Sequence, residues 1–140
     1  MTKIIDFYFD FISPYSYLAH KKIINLNLRD IFNYKAILLG GLHNLAEVTP
    51  PAFNERKMKN MKDDCILIAK KNVQKILIDC EINHDFFEKG IKEKKIKDKL
   101  KYLTNEAFEL NVFGAPTFVV NNKLFWGQDR LEYAIDESKN

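Results

Sequence analysis

The sequence predicts an α/β fold with a mixed sheet in a single domain. Three observations support this: a strand, helix, strand run at the start, a long middle segment with helical spacing, and a hairpin and helix at the end. The chain has 140 residues, 46% of them hydrophobic, which is enough for one packed core and too little for two. Only three of its 22 basic residues are Arg, the usual bidentate reader of phosphate and guanine, so no nucleic-acid partner is expected.

The first strand is predicted where apolar and acidic residues alternate from Ile4 to Phe11. Aromatic side chains dominate this segment, which is typical of a strand buried on at least one face. Ser13 is then a good N-cap and Pro14 suits the first helical position, so a helix is expected from Tyr15 to about Arg29. Its apolar residues form two adjacent rows, which predicts a broad face packed on the sheet: Ala19, Ile23 and Leu26 in one row, and Tyr17, Ile24, Leu28 and Ile31 in the other.

A second short strand is predicted from Lys35 to Leu39, ended by Gly40 and Gly41. A strand, helix, strand run of this length implies a parallel pair joined by a right-handed crossover. From Thr49 to about Leu110, helical spacing recurs and no strand pattern is convincing. This segment predicts a helical insertion at about residues 53–111.

The end of the chain predicts a β-hairpin. Residues 115–120 and 123–126 are mostly apolar, β-branched or aromatic. Between them stand Asn121 and Asn122, which tolerate the positive φ of a tight two-residue turn.

A last helix is expected from Gly127 to about Ser138, with Leu131 and Ile135 facing inward. The complete order is then strand, helix, strand, helical insertion, hairpin and helix. This order is that of a thioredoxin-like fold, and no internal repeat competes with it. We expect one such domain over residues 1–140.

Ser13 has the chemical setting of a site in this arrangement. Free N–H groups and the helix dipole at a helix N-terminus stabilise an anion by about 0.3–1 kcal/mol, so a thiolate would be favoured beside its hydroxyl. Pro116 begins the hairpin strand that faces this turn in a thioredoxin-like fold, and the fold makes it a candidate for a cis peptide bond. The alternative for Ser13 is a helix cap with no further role.

Three separated motifs resemble one enzyme family: IDFYFDFISPYSYLA at 5–19, VFGAPTF at 112–118 and FWGQDRL at 125–131. LLGGL at 38–42 and TPPA at 49–52 add to the likeness. The chain resembles the 2-hydroxychromene-2-carboxylate isomerases, which belong with the kappa-class glutathione transferases in the DsbA-like branch of the thioredoxin fold.

The resemblance implies a glutathione-dependent isomerase acting on a small aromatic or chromene substrate. In that family a serine at the position of Ser13 hydrogen-bonds the sulfur of bound glutathione, which would lower the thiol pKa and supply the nucleophile. By analogy, the backbone at Ala115, just before Pro116, would pair with the cysteinyl part of glutathione. The γ-glutamyl end would be held by the corner formed by Trp126, Gly127, Gln128 and Asp129.

The sequence departs from the family pattern at three places. Its members are normally longer, with the extra length in the helices that roof the site. In this chain the match stops near Asp64 and resumes around Ala107, so we expect a shortened helical insertion. Val48 stands where the family usually has an asparagine associated with glutathione binding, so one polar contact is expected to be lost. Asn111 replaces a customary glycine, and asparagine also adopts the left-handed conformation.

Other functions stay open at this point. The chain could be a kappa-type glutathione transferase, or a non-catalytic thioredoxin-like module that binds peptides or a partner at the Ala115 and Pro116 edge. Disulfide exchange would need a Cys at position 13 or 16, and both are Ser. Trp126 could be hairpin core and Arg130 a solvated helix residue.

Composition also bears on location and partners. An acidic residue, Asp6, comes soon after the N-terminus and before any long apolar run, which a signal peptide would need. No stretch reaches the ~18 apolar residues of a membrane span. We therefore expect a cytoplasmic protein without membrane contact. The histidines at 20, 43 and 84 and the cysteines at 65 and 80 lack metal-ligand spacing, so no metal is expected, although His43 would lie at the rim of the site. A homodimer that buries the face left uncovered by a short insertion is a further expectation.

Overall fold

The computed structural model describes residues 2–47 and 89–140. The chain divides into two units, Met1–Val48 with Lys101–Asn140, and Thr49–Leu100. The single domain over the whole chain stays a prediction. The roles suggested for Val48, Cys65, Cys80 and His84, and residues 53–88 of the expected insertion, lie outside the described residues.

A mixed four-stranded sheet organises the first unit, as predicted. Its strands are β1 (Ile5–Phe9), β2 (Phe32–Ala36), β3 (Thr117–Val120) and β4 (Lys123–Trp126), in the spatial order β2-β1-β3-β4. β1 and β2 are parallel, whereas β3 is antiparallel to both β1 and β4. The expected parallel pair and C-terminal hairpin are therefore confirmed.

The crossover helix α1 (Pro14–Asn25) begins at the predicted N-cap but ends four residues earlier than expected. Asn27 has a φ of 53°, and the N–H groups of Asn27 and Leu28 donate to the carbonyls of Ile24 and Ile23. This is a Schellman motif, which turns the chain out of the helix.

The predicted broad apolar face of α1 is only partly correct. Ala19 and Ile23 are fully buried, but Tyr17 and Leu26 are 43% and 47% exposed. α1 therefore packs through one row of small and branched side chains, and the other row is less buried.

The second strand was predicted three residues too late. β2 runs from Phe32 because its parallel register pairs Ile5 with Phe32 and Phe9 with Ala36, and β1 has no further residues to pair. Leu39, Gly40 and Gly41, which were expected to end the strand, instead begin helix α2 (Leu39–Leu45).

Both faces of the sheet are covered within this unit. Phe7 of β1 and Phe118 of β3 stack at 5.1 Å between ring centroids, beneath α1 and the last helix, α4 (Leu131–Ser138). On the other face, Tyr8 packs with Leu103 and Ala107 of helix α3 (Lys94–Glu109). α3 is the described part of the expected helical insertion.

Three further local predictions are confirmed. Asn121 and Asn122 have φ of 52° and 58°, as a two-residue hairpin turn requires. Asn111 has a φ of 61° and ends α3 with the same hydrogen-bond pattern that ends α1. Leu131 and Ile135 are buried in α4. Within residues 2–47 and 89–140, no helix combines the length and apolar character needed to cross a membrane.

Candidate functional site

Ser13 lies where the loop after β1 enters α1. Its Oγ accepts a hydrogen bond from the backbone N–H of Ser16 at 3.3 Å, which makes it the N-cap of the helix. The same hydroxyl donates to the carbonyl oxygen of Ala115 at 3.0 Å. Ser13 is only 6% exposed. Ser13 is therefore the N-cap of α1, and its hydroxyl also contacts a second segment of the chain at Ala115.

The Ala115 and Pro116 segment lies against this serine, as expected. The peptide bond between the two residues is cis, as predicted. The carbonyl oxygen of Pro116 accepts the N–H of Gly127 at 2.9 Å, and the Thr117 hydroxyl donates to the Gly114 carbonyl at 2.7 Å. These contacts fix both ends of the loop that faces Ser13.

The corner after β4 is joined to the same loop. Gly127 has a φ of 109°, a backbone conformation that favours glycine, since other residues are strained there. Gln128 opens a short 3₁₀ turn, Gln128–Arg130, that leads into α4. The Asp129 side chain is 62% exposed, with a guanidinium nitrogen of Arg130 at 3.5 Å.

Trp126 packs beside the Ala115 and Pro116 loop rather than in the hairpin core. It is 53% exposed, and its ring lies 4.9 Å from that of Phe113. A Cβ added to Gly114 would come within 2.5 Å of the indole nitrogen, so the absence of a side chain at 114 makes room for the tryptophan. The structure therefore links Trp126 to the loop through Gly114, one residue before Ala115.

Exposed apolar side chains precede and follow Ser13 in the chain. Phe11 and Ile12, just before it, are 78% and 67% exposed, and Tyr15 and Leu18 in the first turns of α1 are 60% and 50% exposed. They give the serine a rim suited to an apolar or aromatic ligand.

A surface depression of about 360 Å³ lies elsewhere, along β4. It is lined by Leu124, Phe125, Trp126, Arg130 and Tyr133, and Ser13 is not part of it. We place the candidate site at Ser13 because the hydroxyl donor and the helix N-terminus meet there, whereas the depression holds one exposed cation among apolar groups.

Sequence reasoning missed one polar residue beside Ser13. Asp10 is only 6% exposed, and its carboxylate accepts the N–H groups of Ile12 and Leu39. The available signal was an acidic residue at the end of a strand of aromatic residues. The alternating pattern predicts a strand from Ile4 to Phe11 that includes Asp10, and it assigns this carboxylate no role.

The structure describes two of the three histidines, and neither is part of the candidate site at Ser13. His20 in α1 lies with its Nδ1 3.2 Å from the hydroxyl of Tyr34, and burial lowers its pKa. His43 is half-buried near the end of α2. Neither makes a described contact with Ser13.

A cluster of charged and phenolic side chains lies under α3 and includes no described contact with Ser13. Lys35 contacts Asp6 at 2.9 Å and also binds Tyr8 and Glu106, and the Tyr8 hydroxyl donates to Glu106. Burial and the bond to Glu106 raise the pKa of Tyr8. For Glu106, burial acts to raise the pKa, but the hydrogen bonds from Lys35 and Tyr8 outweigh it and lower the pKa.

Comparison with known proteins decides the family. The sequence profile of the DSBA-like thioredoxin domain matches residues 4–72 and 66–136. The chain belongs to this DsbA-like thioredoxin family. Its fold, with the hairpin, the cis peptide bond and the helix beginning at Ser13, is the fold predicted from the sequence.

Two curated relatives are named 2-hydroxychromene-2-carboxylate isomerase. The protein from Sphingobium xenophagum is 24% identical, over 95% of this chain and 96% of its own length. That from Pseudomonas putida is 25% identical, over 91% and 90%. A solved structure of a 2-hydroxychromene-2-carboxylate isomerase superimposes with a TM-score of 0.68 at 21% identity, covering 93% of this chain and 91% of the other.

The chain is shorter than the Sphingobium xenophagum relative. The alignment with the Sphingobium xenophagum protein runs over 188 positions, more than the 140 residues of the chain. It must therefore include positions at which the relative has residues and this chain has none.

Proposed function

We propose that this DsbA-like protein is a glutathione-dependent isomerase that acts on an aromatic substrate of the 2-hydroxychromene-2-carboxylate type. The observation that carries the proposal is the Ser13 hydroxyl, held at the N-terminus of α1 and against the loop before Pro116. The names of the curated relatives support the same reaction class.

The residues present have the donor set that glutathione requires. Among the described residues, the Ala115 N–H donates to no protein acceptor, so an extended peptide could pair there as an added strand. The Gly127 N–H already donates to the Pro116 carbonyl, so the corner would offer the backbone N–H of Gln128, and the Asp129 carboxylate would offer an acceptor for an ammonium group. Glutathione carries a thiol, peptide groups and an α-ammonium in one extended chain, which fits this order.

Ser13 would act on the sulfur. Its hydroxyl can rotate from the Ala115 carbonyl to donate to a thiolate, and the helix N-terminus favours the same negative charge. Both effects lower the pKa of the bound thiol and raise the reactive fraction.

The bound tripeptide would supply the thiolate nucleophile. Opening of the hemiketal ring breaks its C–O bond and passes the hydroxyl proton to the phenol oxygen, which leaves an open-chain keto acid with a conjugated double bond. Addition of the thiolate to the carbon β to the ketone moves the π-electron pair onto the ketone oxygen as an enolate and leaves a single bond that can rotate. The enolate then expels the same thiolate and restores the double bond. No atom or electron is gained or lost overall. The exposed apolar rim at Phe11, Ile12 and Tyr15 would contact the aromatic ring.

The test is conversion of 2-hydroxychromene-2-carboxylate, followed by absorbance, with and without glutathione. We expect turnover by the wild type only when glutathione is present, and little turnover by Ser13→Ala. The control is Ser138→Ala, because Ser138 is also a buried hydroxyl that donates to a backbone carbonyl, that of Ile135. Peptide binding without any effect of glutathione would instead favour the non-catalytic module.

Turnover by glutathione conjugation without isomerisation would favour the kappa-type transferase. A cytoplasmic location and a homodimer stay predictions, and light scattering measures the second directly.

A further inference from the structure

We propose that Asp10 is a positioning residue for Ser13, because its buried carboxylate ties the loop that carries the serine to the start of α2. The proposal concerns the same site and rests on the proposed function for its catalytic consequence. Its structural part can be tested separately.

Four hydrogen bonds connect Asp10 to its surroundings. One carboxylate oxygen accepts the N–H of Ile12 at 2.9 Å, and the other accepts the N–H of Leu39 at 2.7 Å. Its carbonyl oxygen accepts the N–H of Ser13 at 3.1 Å, and its own N–H donates to the hydroxyl of Ser16 at 3.4 Å. Ile12 and Ser13 lie in the loop between β1 and α1, Ser16 lies in α1, and Leu39 begins α2.

Helix α2 needs an acceptor from elsewhere in the chain. Its N-cap position is occupied by Leu38, which has no side-chain oxygen, so the first amides of the helix lack a local partner. Asp10 takes the amide of Leu39, and the Thr104 hydroxyl accepts that of Leu38 at 3.0 Å. A carboxylate at this end also complements the helix dipole.

A carboxylate suits this position better than an amide. Two backbone donors from different segments approach its two oxygens, and both are satisfied at once. An asparagine has one oxygen, so its NH₂ group would face one of the two donors. A buried donor left unpaired costs free energy, so the loop or the helix would have to move.

Movement of this loop would reach the hydroxyl directly. Ser13 follows Asp10 by three residues, and its Oγ must lie within reach of both Ser16 and the segment at Ala115. Small displacements of a catalytic group reduce rates strongly, because the reacting atoms must be held at a defined distance. Asp10 therefore sets where the hydroxyl points without contacting the ligand itself.

The experiment compares Asp10→Asn and Asp10→Ala with the wild type. The matched control is Asp6→Asn, which removes a carboxylate from β1, the strand that leads into the Ser13 loop; this carboxylate pairs with Lys35 and Asn33. Glutathione affinity is measured by calorimetric titration, and the pH dependence of thiolate absorbance is measured separately at saturating glutathione. We expect about tenfold weaker binding and a higher thiol pKa for Asp10→Asn, a larger change for Asp10→Ala, and none for Asp6→Asn.

The thiol pKa separates positioning from general destabilisation. It is read on folded, glutathione-bound protein, so a loss of global stability alone does not shift it. An unchanged affinity and thiol pKa in Asp10→Asn would overturn the proposal.

Amide hydrogen exchange tests the structural part independently of glutathione. The Ile12 and Leu39 amides should exchange faster in Asp10→Asn than in the wild type and stay protected in Asp6→Asn. Unchanged protection overturns the inference. If the wild type binds no glutathione but these two amides lose protection in Asp10→Asn, the proposed function is wrong and the structural role of Asp10 is supported.

Discussion

The hydroxyl of Ser13 donates a 3.0 Å hydrogen bond to the carbonyl oxygen of Ala115, 102 positions later in the chain. This bond joins two of the three motifs on which the family resemblance rests, those at 5–19 and 112–118. It also shows that the hydroxyl is already directed at the segment that would hold the cysteinyl part of glutathione. A small rotation of the O–H would exchange a carbonyl acceptor for a thiolate.

Replacing Ser13 by alanine should lower stability as well as activity. The variant loses the acceptor for the Ser16 N–H, and N-cap serine to alanine changes cost about 1 kcal/mol. Urea unfolding measures this loss. Ser138→Ala should lose a similar amount and keep its activity, so a Ser13→Ala enzyme with full activity would contradict the site.

The packing of Trp126 on Gly114 predicts opposite effects for two glycine substitutions. Gly114→Ala places a Cβ 2.5 Å from the indole nitrogen and should displace the ring from Phe113, at a cost of about 1–2 kcal/mol. Gly40→Ala in α2 meets no atom within 4 Å and should stabilise by about 0.5–1 kcal/mol. Thermal unfolding measures the change in stability of both variants, and Trp fluorescence reports whether the indole ring is displaced. Equal effects of the two would contradict this packing.

The cluster under α3 predicts the direction of the acid dependence of stability. Burial acts to raise the pKa of Glu106, but bonds from Lys35 and Tyr8 hold it below its usual value of 4.5 in the folded state. Its stabilising contribution is therefore full above the unfolded pKa and is lost as the pH falls through the lower folded pKa.

Glu106→Gln should consequently be less stable than the wild type at pH 7, by about 2 kcal/mol, and should lose less stability on acidification below pH 4.5. Denaturant unfolding at several pH values measures both. Glu109→Gln, an exposed substitution on the same helix, should keep the wild-type profile. A parallel profile for Glu106→Gln would contradict the assignment.

Asp129 should affect glutathione affinity more than protein stability. Its side chain is 62% exposed, so an ion pair with the γ-glutamyl ammonium is expected to contribute modestly, and Asp129→Asn should weaken binding about two- to fivefold. Calorimetric titration measures the change. Glu132→Gln, which removes the nearby partner of Lys22, should bind as the wild type does.

The helix start and the hairpin turn could be predicted from the sequence because residues adjacent in the chain determine them. Ser13 with Pro14 specifies a helix start, and Asn121 with Asn122 specifies a hairpin turn, because each choice depends on local backbone chemistry. The early end of α1 at Asn27 had a local signal as well, since asparagine readily adopts the left-handed conformation.

Features set by distant partners were not predictable in the same way. The limits of β2 follow from its register with β1, in which Lys35 lies opposite Tyr8, and no pattern within β2 encodes that pairing. The role of Asp10 depends on Leu39, 29 positions away. The position of Trp126 likewise depends on the lack of a side chain at Gly114.

The thiol pKa of bound glutathione tests the central claim most directly. Thiolate absorbance is measured against pH for glutathione bound to the wild type and to Ser13→Ala. We expect a pKa well below the ordinary thiol value of about 8.5 in the wild type, and a return toward that value in the variant. The same thiol pKa in both proteins, or no glutathione binding by either, would contradict the assignment of Ser13.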